Sequence, residues 1–175
     1  MTITDEVKQL VFAVPSPPGE DPPRGTDDDT ITEFDGRTGL RVPTGLREWL
    51  RFTNGPCIGP GGLLGIRPDR TCLDIEEVLE SYPAWREKGW LPIAADGCGN
   101  YYVVNTNEGE AVYFIDAAAN SEGLDYAVAS NVWRFLWFLL EREMGKKDWP
   151  FSRDFVLSVD PDIVRCAAAP LPWNA

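Results

Sequence analysis

One stretch constrains the fold of this chain more than any other. Between Ser130 and Gly145, the residues Val132, Trp133, Phe135, Leu136, Trp137, Phe138, Leu139 and Leu140 would occupy nearly every side of an α-helix. A helix that is apolar all round has to be covered on more than one face. It is far too short to be a bilayer span, which takes roughly 20 apolar residues. The rest of the chain must therefore supply at least two covers. Ser130 is expected to cap the helix and Gly145 to stop it. One cover is expected from a sheet. The other is expected from the segment 146–175, through Trp149, Phe151, Phe155, Val156 and Leu157.

The sheet is read from residues 90 to 129. Trp90-Leu91-Pro92-Ile93-Ala94 is a short strand whose proline suits an edge or a strand start. Gly97-Cys98-Gly99-Asn100 is a turn, and Tyr101 to Val104 is the next strand. Asn105 to Gly109 turns again, Ala111 to Ile115 is a third strand, and Tyr126 to Ala129 a fourth after the loop Asp116 to Asp125. Successive strands joined by short turns pair antiparallel. With 175 residues the chain has the length of one domain. The fold class expected is α+β, a single domain over residues 1–175 with a central, mostly antiparallel sheet packed by helices.

The first half of the chain reads as helices and connectors. Val7, Leu10, Val11 and Val14 fall at helical spacing and end at Pro15. Residues 15–30 hold five prolines and an acidic run, so a flexible loop is expected over about 15–35. A helix is expected from Pro43 to Thr53, with Asn54-Gly55 as its left-handed stop. Glycine-rich residues 59–65 follow, and Leu63-Leu64-Gly65-Ile66 are read as a short strand. Asp74 with Glu77 has the spacing of a capping box, and Ile75, Val78, Leu79 and Tyr82 form an apolar stripe behind it. Glu76, Glu77 and Glu80 face the other way. A solvated face explains them as well as a binding patch does. Pro161 and Asp162 are read as the start of a last short helix through Cys166.

Few chemistries survive the composition. The chain has no histidine, which removes Ser-His and Cys-His nucleophile pairs and imidazole metal sites. Cys57, Cys72, Cys98 and Cys166 lack the close spacing of a zinc or redox motif, so reduced, mostly buried thiols are expected. Gly59-Pro60-Gly61-Gly62 lacks the Gly-Lys-Ser/Thr of a phosphate loop. Asp96 to Asn100 lacks the alternating ligands and closing glutamate of a calcium loop. Carboxylate-pair catalysis stays formally open, yet no pair stands out among 28 acids. No cofactor, metal or catalytic residue is assigned. The formal charge of −12 repels nucleic acid and anionic membranes and suits a basic protein partner, although acidity alone also serves solubility. The N-terminus carries acid where a signal peptide needs base, and no apolar region follows, so a soluble, cytoplasmic protein is expected.

The order of segments then resembles a known family. A helix ending in Asn54-Gly55 is followed by a glycine-bearing stretch and a helix, and then by Trp90-Leu91-Pro92-Ile93-Ala94 running into Gly97-Cys98-Gly99 and a strand. Later Tyr126-Ala127-Val128-Ala129-Ser130 runs into the apolar helix. This is similar to the SUKH superfamily, which includes fungal cell-wall-synthesis regulators and many bacterial immunity proteins. The match covers about residues 40–144. Asn100 and Asn105 stand where the family often has aspartate. The resemblance implies a protein-binding domain without chemistry of its own, most often an immunity protein that neutralises a cognate polymorphic toxin, such as a basic nuclease or deaminase domain. A regulatory adaptor of the cell-wall-regulator type is the alternative. The acids expected to meet a partner are Asp27, Asp28 and Asp29 in the loop, Glu76, Glu77 and Glu80 on the helix, and Glu108 and Glu110 near a turn.

Overall fold

The computed structural model describes every residue except Ser16, Lys147, Asp148 and Pro150. Four strands, β1 (Trp90–Ala95), β2 (Tyr101–Asn105), β3 (Val112–Ile115) and β4 (Tyr126–Ala129), form one antiparallel sheet in the order β1-β2-β3-β4. Among the described residues the helices are α1 (Ile3–Ala13), α2 (Asp28–Thr38), α3 (Thr44–Phe52), α4 (Ile75–Ser81), α5 (Ala84–Lys88), α6 (Ala117–Asn120), α7 (Val132–Glu143) and α8 (Arg153–Val159). The α+β class and the antiparallel sheet are as the sequence pattern predicts.

Both faces of the sheet are covered, because aromatic residues alternate along its strands. Tyr102 pairs with Phe114, and Phe114 with Tyr126, so the three rings share one face. The Tyr102 ring lies 5.1 Å from Phe135 of α7 and 5.9 Å from Trp149. On the opposite face Tyr101 meets Tyr82 and Trp85, at 5.7 and 5.6 Å. α7 also packs against α1 and α3, and Phe138 reaches Phe151 at 5.5 Å. Trp133, Phe135, Leu136 and Leu140 are buried. Trp137 is only half-buried, because its indole N–H donates to Glu6 of α1 at 3.0 Å and so sits toward the rim.

Both sheet edges are closed as well. Leu64 N–H donates to the Ile93 carbonyl at 2.9 Å, and Leu63 bridges Ala94. Residues 63–66 thus make isolated bridges rather than the expected strand. At the other edge Ala127 N–H donates to the Pro170 carbonyl at 2.9 Å. Neither edge is left as a template for another chain.

Several local expectations are corrected. The loop expected over 15–35 gives way to α2 at Asp28. Asp27 is its N-cap, accepting from Thr30 N–H at 2.8 Å, and Gly39 closes it in the left-handed conformation. The run of three aspartates is a helix start, where the dipole favours carboxylates. The segment before it is tied down: Thr26 N–H donates to Leu50 O at 2.8 Å, and Thr53 Oγ1 to Pro23 O at 2.7 Å. α3 ends at an extended Thr53, so Asn54-Gly55 is not its stop. Instead the buried Asn54 amide bonds the backbone N–H and carbonyl of Ile66, each at 2.8 Å. The capping box at Asp74 does not form, since Asp74 accepts from Arg67 N–H at 2.9 Å. Asn131, not Ser130, caps α7, because Ser130 is held by Asp160. Cys72 and Cys98 are exposed rather than buried, the first on a single 3-10 turn and the second on the β1–β2 turn.

Candidate interaction surfaces

The eight acids singled out in the sequence fall in three places, and most are already engaged within the chain. At the start of α2, Asp27 is spent on its cap, and the Thr30 backbone N–H holds its carboxyl below the usual range. Asp28 lies 3.6 Å from both Arg47 and Arg51. On α4, Glu76 takes a two-pronged bond from Arg37 of α2, at 2.7 and 3.2 Å. In the β2–β3 turn, Glu108 accepts from the Tyr113 hydroxyl at 2.5 Å. Glu110 accepts from Gly45 N–H at 2.6 Å. That last bond caps α3 from a distance, because Pro43 at its N-cap has no side-chain acceptor. Among the described residues only the carboxylates of Asp29, Glu77 and Glu80, of the eight, carry neither hydrogen bond nor ion pair, and all three residues are exposed.

The Arg37–Glu76 tie joins α2 to α4 and brings Glu33, Glu76, Glu77 and Glu80 onto neighbouring turns. Glu33 lies 4.0 Å from Arg37 on its exposed side. Arg37 is the cation bonded within this group, so the patch is acidic on balance. Glu33 was not singled out in the sequence. Its link to α4 runs through Arg37, and no local pattern announces it.

A cleft of about 760 Å³ lies between the α2–α3 connection, α5 and the β2–β3 turn. Its polar residues divide in two. Arg47 is bound to Asp35 at 2.7 Å, Thr106 donates to Gly89 O at 2.8 Å, and Asn107 to Lys88 O at 2.9 Å. The guanidinium groups of Arg41 and Arg86, in contrast, have no hydrogen bond or ion pair among the described residues. Arg86 is half-buried, and its Nε is shut off from solvent with no acceptor. These arginines belong to loops and elements far apart in sequence, which is why the pattern of residues did not reveal the cleft.

No group of three or more His, Cys, Asp or Glu among the described residues could hold a metal ion. Burial pushes the Cys57 thiol up, and pushes Cys166 up to about 11, which keeps it a thiol at neutral pH. Among the described residues no helix is long and apolar enough to cross a membrane.

A four-stranded antiparallel meander with both edges covered, preceded by α3 ending before Asn-Gly and then by α4 and α5, and left by an all-round apolar helix, defines a SUKH-type α+β domain. The profile of the SMI1 / KNR4 family (SUKH-1) matches residues 25–136, and the chain belongs to that family. The matched span starts ahead of the expected residue 40 and takes in α2. A crystal structure of a protein from Pseudomonas syringae pv. tomato has the same fold, with a TM-score of 0.52 at 20% identity over 63% of this chain and 81% of that one. Among curated proteins none matches.

Proposed function

We propose that this chain is a non-catalytic immunity protein that binds a basic toxin domain and blocks its substrate groove. The observation that carries this reading is the formal charge of −12 on a member of a protein-binding superfamily, with Glu77 and Glu80 exposed and unpaired on α4. A nuclease that attracts phosphate has a basic surface, and complementary charge speeds encounter and rejects wrong partners. The absence of histidine weighs against acyl-transfer or imidazole-assisted chemistry in this chain.

The contact face in this proposal is the α4 patch with Glu33 of α2. Glu76 is excluded from the variant that tests it, because its loss would also cut the tie to Arg37. The test is co-expression with a candidate toxin encoded beside this gene. The native protein should restore growth, and Glu77→Lys with Glu80→Lys should not. Association should slow as salt rises, since the screening length is about 10 Å at 0.1 M and shorter above it. Equal rescue by both proteins would move the contact off α4. No rescue and no complex with any neighbouring product would overturn the immunity role and favour a regulatory adaptor.

A further inference from the structure

We propose that the cleft between the α2–α3 connection, α5 and the β2–β3 turn is a carboxylate-binding site, with Arg86 and Arg41 as its two cationic arms. This does not depend on the immunity reading. It starts from an imbalance. In a chain with an excess of acid, arginines readily find intramolecular partners, as Arg47 does with Asp35 at 2.7 Å in the same cleft. Arg86 finds none. A half-buried guanidinium without a counter-charge is costly, and its Nε is shielded from solvent with no protein acceptor.

Arg86 is also held in place. The preceding residue, Trp85, is buried, stacks on Tyr82 with centroids 4.4 Å apart, and donates its indole N–H to Ser121 O at 2.9 Å. The backbone that carries Arg86 is therefore fixed against the cleft, and its half-buried guanidinium is delivered from a rigid base. Arg41, exposed on the facing connection, supplies the second charge.

The ligand's charge follows from the surroundings. Glu87 and Glu110 line the same cleft, and the whole chain is acidic, so a phosphate dianion is repelled where a single carboxylate is tolerated. The planar guanidinium matches a carboxylate with two parallel bonds. The carboxylate comes either from a free small acid or from a glutamate or aspartate displayed on a peptide segment.

The test uses the full chain labelled with nitrogen-15, with the Arg86 Nε–H followed by NMR. A short glutamate-containing peptide should shift that signal, and the matched glutamine peptide should not. Glutarate alone producing the same saturable shift assigns the site to free acids, whereas a need for the peptide assigns it to a protein segment. Arg86→Gln should weaken peptide binding tenfold or more, by roughly the worth of a charged hydrogen bond. Arg41→Gln should weaken it less. Both should melt like the native protein, having no internal partner to lose. If Arg86→Gln fails to fold, Arg86→Lys keeps the charge, loses the fork, and should still bind more weakly. No shift at millimolar peptide, an equal shift with glutamine, tighter binding of inorganic phosphate, or unchanged affinity in the arginine variants would each overturn the proposal.

Discussion

α7 and α2 lean on one hydrophobic core and hold to it in opposite ways. α7 has eight of its twelve residues buried and meets α1, α3 and β4 as well as Phe151. α2 buries only Ile31, Phe34 and Thr38 of eleven. It is kept in place at its ends and along its rim, by the Asp27 cap, by Gly39, by Arg37 to Glu76, and by Asp35 to Arg47 at 2.7 Å and to Val42 N–H at 2.9 Å. The first helix is held almost wholly by area removed from water, the second by two core side chains, Ile31 and Phe34, together with directed polar bonds. Area is worth more per residue, while polar bonds at a surface are worth little and can be exchanged. Stability should therefore concentrate at α7. The surface that could adjust to a partner should lie at α2 and α4.

The largest test of that contrast is Leu136→Ala. Leu136 is buried in the middle of α7, and the change should cost roughly 2–5 kcal/mol, the range for buried leucines. Urea unfolding with the midpoint and slope both fitted would measure it. A loss under about 1 kcal/mol would mean that α7 can collapse around the cavity, and the contrast with α2 would fail.

A second change asks whether the approach to α2 is as passive as its prolines suggest. At Gly25 a Cβ would lie 1.8 Å from the carbonyl oxygen of Arg51, a backbone atom that cannot swing away. Gly25→Ala should therefore push the 20–27 segment off the end of α3 and cost about 1–3 kcal/mol, as overpacking does. Thermal melting would show it. An unchanged melting temperature would show that the segment can lift away freely, which would sharpen the contrast by making all of 15–27 dispensable.

The same contrast explains what could be read before the structure. The four strands and α7 were legible because long apolar side chains recur at a period of two or fill a helix between glycine turns. α2 was missed because its first turn is Asp28-Asp29-Thr30, and an acidic run after five prolines reads as solvated chain. Its helical character depends on Phe34 and Ile31 finding the core, which is tertiary information. α5 and α6, with five and four residues, are too short for a period to register. The acids at 27, 28, 76, 108 and 110 were visible as charges. Their bonds to Thr30, Arg47, Arg37, Tyr113 and Gly45 were not, since most of the partners are far away along the chain. The cleft was hidden for the same reason.

Smaller effects separate the ties from the display. Glu76→Gln keeps the size of the side chain and removes the charge that Arg37 meets at 2.7 Å. The pair is partly exposed, so the cost should be about 0.2–1 kcal/mol and should shrink as salt is added. A double-mutant cycle with Arg37→Gln would isolate the pair. A coupling well above 1 kcal/mol would place α2 closer to α7 in how firmly it is fixed.

The smallest effect is expected at Glu77 and Glu80, the positions proposed to meet a partner. Neither has a bond to lose, and both are exposed on α4. Reversing both to lysine has two opposed consequences for the fold. Glu77 sits in the first turn of α4, where a carboxylate is favoured by about 0.3–1 kcal/mol at low salt and a cation is not. Against that, removing acid from a chain of charge −12 relieves self-repulsion, most of all beside Glu33 and Glu76. At physiological salt the two should nearly cancel, leaving a change within about 0.5 kcal/mol, as for surface substitutions away from caps and networks. Denaturant midpoints of the double variant and the native chain, taken at low and at physiological salt, would check this. A near-null result means that any loss of toxin neutralisation in the same variant is a loss of contact and not of fold. A drop of 2 kcal/mol or more would mean that α4 depends on these carboxylates for its own structure, and the division between a held core and a displayed acidic face would have to be drawn elsewhere.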